Sequence, residues 1–202
     1  MPATITGQKM PSSLTTNRPN PPDLDTKTLP RQGRAQETFE RILSITAELL
    51  AEVGIERLST NLICERAGLT PPALYRYFPN KYAVLHALGE RLMGAQNALL
   101  ADWATPATVA APPAEFHQRL QRLFIDTIAL TDAFAGGAWI MRALRAVPAL
   151  HEVRVASHRH VSQLIEQALR FRRMCRSPGQ HRAGSWPALF QQRHDLTPQI
   201  VS

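Results

Sequence analysis

Leu58–Leu88 reads LSTNLICERAGLTPPALYRYFPNKYAVLHAL, and its punctuation decides the fold. Ser59 or Thr60 can cap a short helix that runs through Arg66. Ala67-Gly68-Leu69 breaks that helix with a glycine suited to positive φ. Thr70 is placed to cap a second short helix whose first turn holds Pro71 and Pro72, where a missing N–H does little harm because those donors lack helical partners anyway. Pro79 stops this helix after Phe78. Asn80 then caps the next one, which carries Val84, Leu85, Leu88 and Leu92 towards Leu100.

Working outward, Phe39, Ile42, Leu43, Thr46, Leu49, Leu50 and Val53 recur at spacings of three and four, the signature of an amphipathic helix that begins at Arg34 and ends at Gly54. Downstream, a Pro- and Ala-rich connection over 104–114 is followed by Phe116, Leu120, Leu123, Phe124 and Ile128 on one helical face. Trp139, Ile140, Met141, Leu144 and Val147 suggest a short helix. Pro148 opens a longer one lined by Leu150, Val153, Ser157, Val161, Leu164, Ile165 and Ala168. No strand-like alternation and no internal repeat is present. The pattern predicts an all-α chain: a three-helix head over 34–80, a second helical layer over 81–174, and two ends of different composition.

Those ends hold most of the charge excess. The chain has 202 residues and a net charge of +7, yet 34–92 carries 7 basic and 7 acidic groups, so any nucleic-acid role has to be argued from local geometry. Residues 1–33 contain six prolines and few large apolar side chains, and are expected to be a disordered tail whose Lys9, Arg18, Lys27 and Arg31 can lie along phosphates. After Met174, the prolines and glycines of CRSPGQHRAGSWPALFQQRHDLTPQIVS leave no room for a long helix, so 175–202 is expected to be irregular. The opening MPATITGQKMPSS lacks the apolar run of a secretion signal. Cys64 and Cys175, far apart in sequence, read as free thiols in a reducing compartment, and a cytoplasmic chain without membrane spans is expected.

Two short helices joined by a glycine turn form a helix-turn-helix pattern, in which the second helix offers its leading residues to the major groove and the first braces the backbone. A glycine corner alone is weak evidence for this. The combination is specific: Gly54, Leu58-Ser59-Thr60, Ile63, Ala67-Gly68, Thr70, Leu74-Tyr75-x-Tyr77-Phe78 and Lys81. On these residues the chain resembles the TetR/AcrR family of bacterial one-component regulators, closely over Arg34–Leu92 and more loosely in helix layout to about Arg173. The resemblance implies a helix-turn-helix head joined to a C-terminal helical domain that binds an effector and dimerises.

It also implies roles for individual residues. Thr60 matches a phosphate-contacting position at the start of the brace helix, and equally fits a plain cap. Asn61 matches a position that can face base edges. Thr70, Pro71, Pro72 and Ala73 form the leading turn of the recognition helix and would read sequence by shape and contact with thymine methyls. Tyr75 and Tyr77 can turn a hydroxyl to the DNA backbone; for Tyr77, beside Phe78, core packing is an equal reading. Arg76 is the candidate for guanine or phosphate, Lys81 for a phosphate at the next helix N-terminus, and Arg34 for an arm on phosphate or minor groove. Leu58, Ile63, Leu74 and Phe78 read as core, and Cys64 as a small buried hydrophobe.

The same resemblance implies an apolar effector pocket, for which Trp103, Phe116, Phe124, Trp139 and Met141 are candidates, although such residues are more often ordinary core than ligand wall. His151, His158 and His160 share no metal-ligand spacing, and no phosphate loop or nucleophile elbow is present, so no catalytic residue, metal or cofactor is assigned. The leading reading is a repressor that binds a palindromic operator in double-stranded DNA as a homodimer and is released by a small-molecule effector. The irregular C-terminus supports an alternative, an accessory or defective interaction protein with weakened dimerisation.

Overall fold

The computed structural model describes residues 20–27 and 33–175. Its helices are α1 (Arg34–Arg57), α2 (Thr60–Ala67), α3 (Pro71–Tyr75), α4 (Lys81–Trp103), α5 (Pro106–Ala110), α6 (Pro113–Ala133), α7 (Gly137–Ala146) and α8 (His151–Cys175), with a 3-10 turn at Pro148–Leu150. Among the described residues there is no strand, and the all-α architecture is as the sequence predicts. The irregular end expected over 175–202 lies outside the described residues, apart from Cys175 at the end of α8.

Local chemistry explains the boundaries. Gly54 takes φ 72° and ψ 171° and kinks α1, which resumes for one more turn to Arg57 instead of ending at the glycine. Ser59 is the cap of α2, its hydroxyl accepting from the Leu62 N–H at 3.2 Å. Gly68 is left-handed at φ 64°, and the Leu69 N–H closes back on the Cys64 carbonyl at 2.9 Å. α5 lies inside the Pro- and Ala-rich stretch that reads as a mere connection. Thr105 makes it a helix by accepting from the Thr108 N–H at 3.2 Å, with Pro106 in the first turn.

The chain divides into two compact units, one holding residues up to Arg91 together with Ala135–Val153, the other Leu92–Phe134 and the residues from Arg154 onward. In the first, α1 packs on α2 and α7, and α2 on α3. Ile42, Leu43, Leu49, Leu50, Leu58, Ile63, Leu74, Phe78, Ile140 and Leu144 are fully buried, each aliphatic side chain worth about 1.5–3 kcal/mol of transfer free energy. α7, assigned from sequence to the second layer, thus groups with the head. Its packing is close: Gly136, at φ 66°, sits against the Ala47 backbone, and Leu144 fills the space beside Gly89.

Arg91, the last residue of this unit on α4, grips Glu40 of α1 through two 2.6 Å hydrogen bonds, its guanidinium 5.8 Å from the Phe39 ring centre. These bonds hold the Glu40 carboxyl below its ordinary range, against the opposing effect of partial burial. A lowered folded value means that the contribution to stability is present above the unfolded pKa and is lost as pH falls through the folded one. Glu40→Gln is therefore expected to be less stable than the wild type near neutrality, with the gap closing as pH drops below about 4. Urea unfolding at a series of pH values checks this; a gap that does not change with pH would contradict it.

The second unit is tied by polar bonds between helices. Gln96 donates to Thr131 at 2.8 Å, Ser157 to Asn97 at 2.7 Å, and the Trp103 indole N–H to the Arg119 carbonyl at 3.0 Å. Among the described residues, no single helix is long and apolar enough to cross a membrane.

Candidate nucleic-acid interface

The geometry of α2 and α3 follows from three backbone choices: the Ser59 cap, the left-handed Gly68 and the double proline. Pro71 and Pro72 carry no N–H, and the N–H groups of Ala73 and Leu74 both donate to the Thr70 carbonyl, at 3.0 and 3.2 Å. The front of α3 consequently offers no unpaired backbone donor to an anion. What it does offer is a surface, with Thr70, Pro71 and Pro72 exposed and Ala73 half-buried. Thr70 stands at the cap position, but its hydroxyl makes no cap bond to α3 and its carbonyl does the closing, so the expected side-chain cap is corrected.

Behind this surface, alternate residues go opposite ways. Leu74, Tyr77 and Phe78 are buried, while Tyr75 and Arg76 are exposed. The Tyr75 hydroxyl lies 3.1 Å from the Thr60 hydroxyl, joining the end of α3 to the start of α2, and exposed Asn61 follows Thr60. The Arg76 side chain makes no ion pair among the described residues. Two candidates are corrected. Tyr77 is only 5% exposed and packs edge-on against Phe39 at 6.1 Å, so it is a core ring, not one turned to a duplex. Lys81 directs its ammonium at the Ile55 and Leu58 carbonyls, 3.1 and 2.8 Å away, satisfying acceptors left over beyond the α1 kink. Two of its three donors are thus committed inside the head. Arg34 is exposed at the first residue of α1, whereas Lys9, Arg18 and Arg31 lie outside the described residues.

Residues 42–88, which include α2 and α3, match the family model described as bacterial regulatory proteins, tetR family. Over these residues the head is similar to the tetR family. Over 54 residues the chain is 44% identical to the tetracycline repressor protein class C of Escherichia coli, covering 27% of this chain and 25% of that one. It is 42% identical over 52 residues to the class A repressor from transposon 1721 of Escherichia coli, covering 26% and 24%. It is also 36% identical over 58 residues to the nucleoid occlusion factor SlmA of Mannheimia succiniciproducens, covering 28% and 27%. The chain thus matches about a quarter of the length of these curated relatives.

The head contains two features that sequence reasoning missed. Arg66 of α2 forms a double hydrogen bond with Glu52 of α1, at 3.0 and 2.8 Å, tying α2 to α1. Residues 20–27, expected to belong to the disordered tail, dock on the head. The Lys27 N–H donates to the Tyr77 carbonyl at 2.9 Å, and the Asn80 side-chain amide donates to the Asp23 carbonyl at 2.7 Å. Asn80 simultaneously accepts from the N–H groups of Tyr82 and Ala83, at 2.9 and 3.0 Å, which is the α4 cap that the sequence predicts. Alternation of Pro22, Leu24 and Thr26 with charged neighbours was the available signal.

Of the five effector-pocket candidates, only Trp103 lines the cleft of about 350 Å³ in the second unit, which Leu99, Leu123, Asp102, Arg119 and Arg122 also line. Phe116 packs on Trp103 at 5.7 Å, and Phe124 is 62% exposed. Trp139 and Met141 stand on α7 in the unit of the head. Because α7 buries Ile140, Ala143 and Leu144, it turns Trp139 outwards under the Arg142 guanidinium, 5.1 Å from the ring centre. The cleft thus sets Leu99, Leu123 and Trp103 beside the charged Asp102, Arg119 and Arg122, and takes in one of the five candidates for an apolar pocket. Cys64 is buried, which pushes its thiol pKa up and away from reactivity.

Proposed function

We propose that the chain is a DNA-binding transcriptional regulator, a repressor, that sets α3 into the major groove of an operator. The observation that carries this is the exposed row Thr70-Pro71-Pro72 leading into Tyr75 and Arg76, on a core that fixes α3 against α1 and α2. With no backbone donor at its front, α3 reads by apolar contact with thymine methyls and by the fit of its proline ridge. Arg76 supplies the paired donors suited to guanine O6 and N7. The adjoining Thr60 and Tyr75 hydroxyls fix register on a phosphate. A homodimer matches two half-sites about one helical turn apart, and a small molecule in the second unit releases the operator by favouring a spacing that no longer fits. α4 is the route for that effect, since one helix runs from Lys81 in the first unit to Trp103 in the second.

Arg76→Ala is expected to lower affinity for the operator by about 10- to 100-fold, corresponding to about 1–3 kcal/mol, and to relax discrimination at one base position. Binding to random duplex should change far less. Titration of chromosomal fragments against random competitor checks this, and a wild type with no preference for any fragment would remove the proposal. The likeness to nucleoid occlusion factors supports a second reading, a head that marks chromosomal sites without switching a promoter. Bound sites scattered away from gene starts would favour it.

A further inference from the structure

Residues 20–27 show the period-two burial of an extended chain: Pro22, Leu24 and Thr26 are half-buried, while Asp23, Asp25 and Lys27 face outwards. Their anchors, the Tyr77 carbonyl and the Asn80 amide, belong to the link between the recognition helix and α4. The Asp23 carboxylate accepts from the Asp25 N–H at 3.0 Å, a local turn that holds the two acidic residues together. Two exposed acidic residues are therefore held in a segment anchored at Tyr77 and Asn80, next in the chain to Arg76 at the end of α3, where a phosphate backbone would approach. An undocked chain would leave these charges dispersed. Docked, they add negative potential where a duplex must bring its own.

We infer that residues 20–27 are a built-in electrostatic brake, which lowers the affinity of the head for duplex DNA and keeps binding selective. This rests on the DNA-binding reading above. Removing a like charge near a phosphate strengthens association most at low ionic strength, and the gain fades as the Debye length shortens. Lys27 does not cancel the effect within this segment, because it is one positive charge against the two negative charges of Asp23 and Asp25.

The test compares the full-length wild type with Asp23→Asn/Asp25→Asn and with Asp102→Asn/Asp132→Asn, which makes the same charge change on α4 and α6 in the other unit. Fluorescence anisotropy with a random-sequence duplex is read at low and at moderate salt. The first variant is expected to bind about 3- to 10-fold more tightly at low salt, with the gain shrinking as salt rises, and to exceed the control variant at every salt. Equal gains in both variants would show net charge alone to be at work and overturn the brake, as would weaker binding by Asp23→Asn/Asp25→Asn. Amide exchange gives an independent check: the Lys27 N–H should be protected in the wild type, and exchange at the rate of an unstructured chain would also overturn the inference. If neither the wild type nor either variant binds any duplex, the regulator reading falls and the brake with it; a wild type that binds alongside an unchanged first variant removes the brake alone.

Discussion

Phe78→Ala is expected to cost about 3–5 kcal/mol of unfolding free energy, a large part of the ~5–15 kcal/mol that holds a typical domain together. The Phe78 ring is fully buried and stacked on Phe39 at 5.0 Å, with the planes 24° apart. Phe39 in turn meets the Tyr77 ring and the Arg91 guanidinium. One ring thus locks the segment that follows α3 to α1 and to the Glu40–Arg91 grip. Truncation would leave a cavity walled by side chains on separate helices, which cannot all relax into it. Urea denaturation followed by far-ultraviolet dichroism measures the loss, and DNA binding should disappear at temperatures where the wild type still binds. A loss below about 1 kcal/mol would mean that the head collapses around the gap, and the keystone role of this ring would be refuted.

Gly136→Ala is expected to cost about 2–5 kcal/mol, from two causes that a comparison can separate. Gly136 has φ 66°, and a Cβ there would lie 2.6 Å from the Ala47 carbonyl oxygen and 3.2 Å from its carbon. The obstacle is backbone inside α1, so relief requires α7 to move off the helix it packs on. Gly68 has nearly the same φ, 64°, but nothing within 4 Å of an added methyl, so Gly68→Ala should show the left-handed strain alone, about 1 kcal/mol. Measured side by side, the difference between the two variants reports the steric contribution. Equal losses would show that α7 yields without resistance and is not a fixed part of the unit.

The legible parts of this protein are those set by neighbouring residues. Ser59, Gly68, Pro71, Pro72 and Asn80 act on backbone within a turn of themselves, and the structure uses each as its chemistry suggests. α5 is hidden because Pro106, Pro112 and Pro113 read as breaks, although a proline in a first turn starts a helix as readily as it ends one. Other features depend on partners remote in sequence. Tyr75 and Tyr77 look alike, and only the position of Phe39 makes one a core ring and the other a surface hydroxyl. Lys81 looks like a phosphate ligand until the Ile55 and Leu58 carbonyls are placed beside it. α7 shows an apolar face from sequence, but whether that face meets the head or the second layer depends on where the chain returns. The docking of residues 20–27 depends on such a partner too: the alternation of Pro22, Leu24 and Thr26 hints at an extended segment, but only the placement of Asn80 shows what it docks on.

That amide has two ends with separate duties. Its oxygen starts α4, and its nitrogen tethers the leader through the Asp23 carbonyl. An aspartate would retain the first duty and forfeit the second, so exchanging a single NH2 for an oxygen at this one position would remove one of the two hydrogen-bond anchors of residues 20–27 while the start of α4 kept its cap.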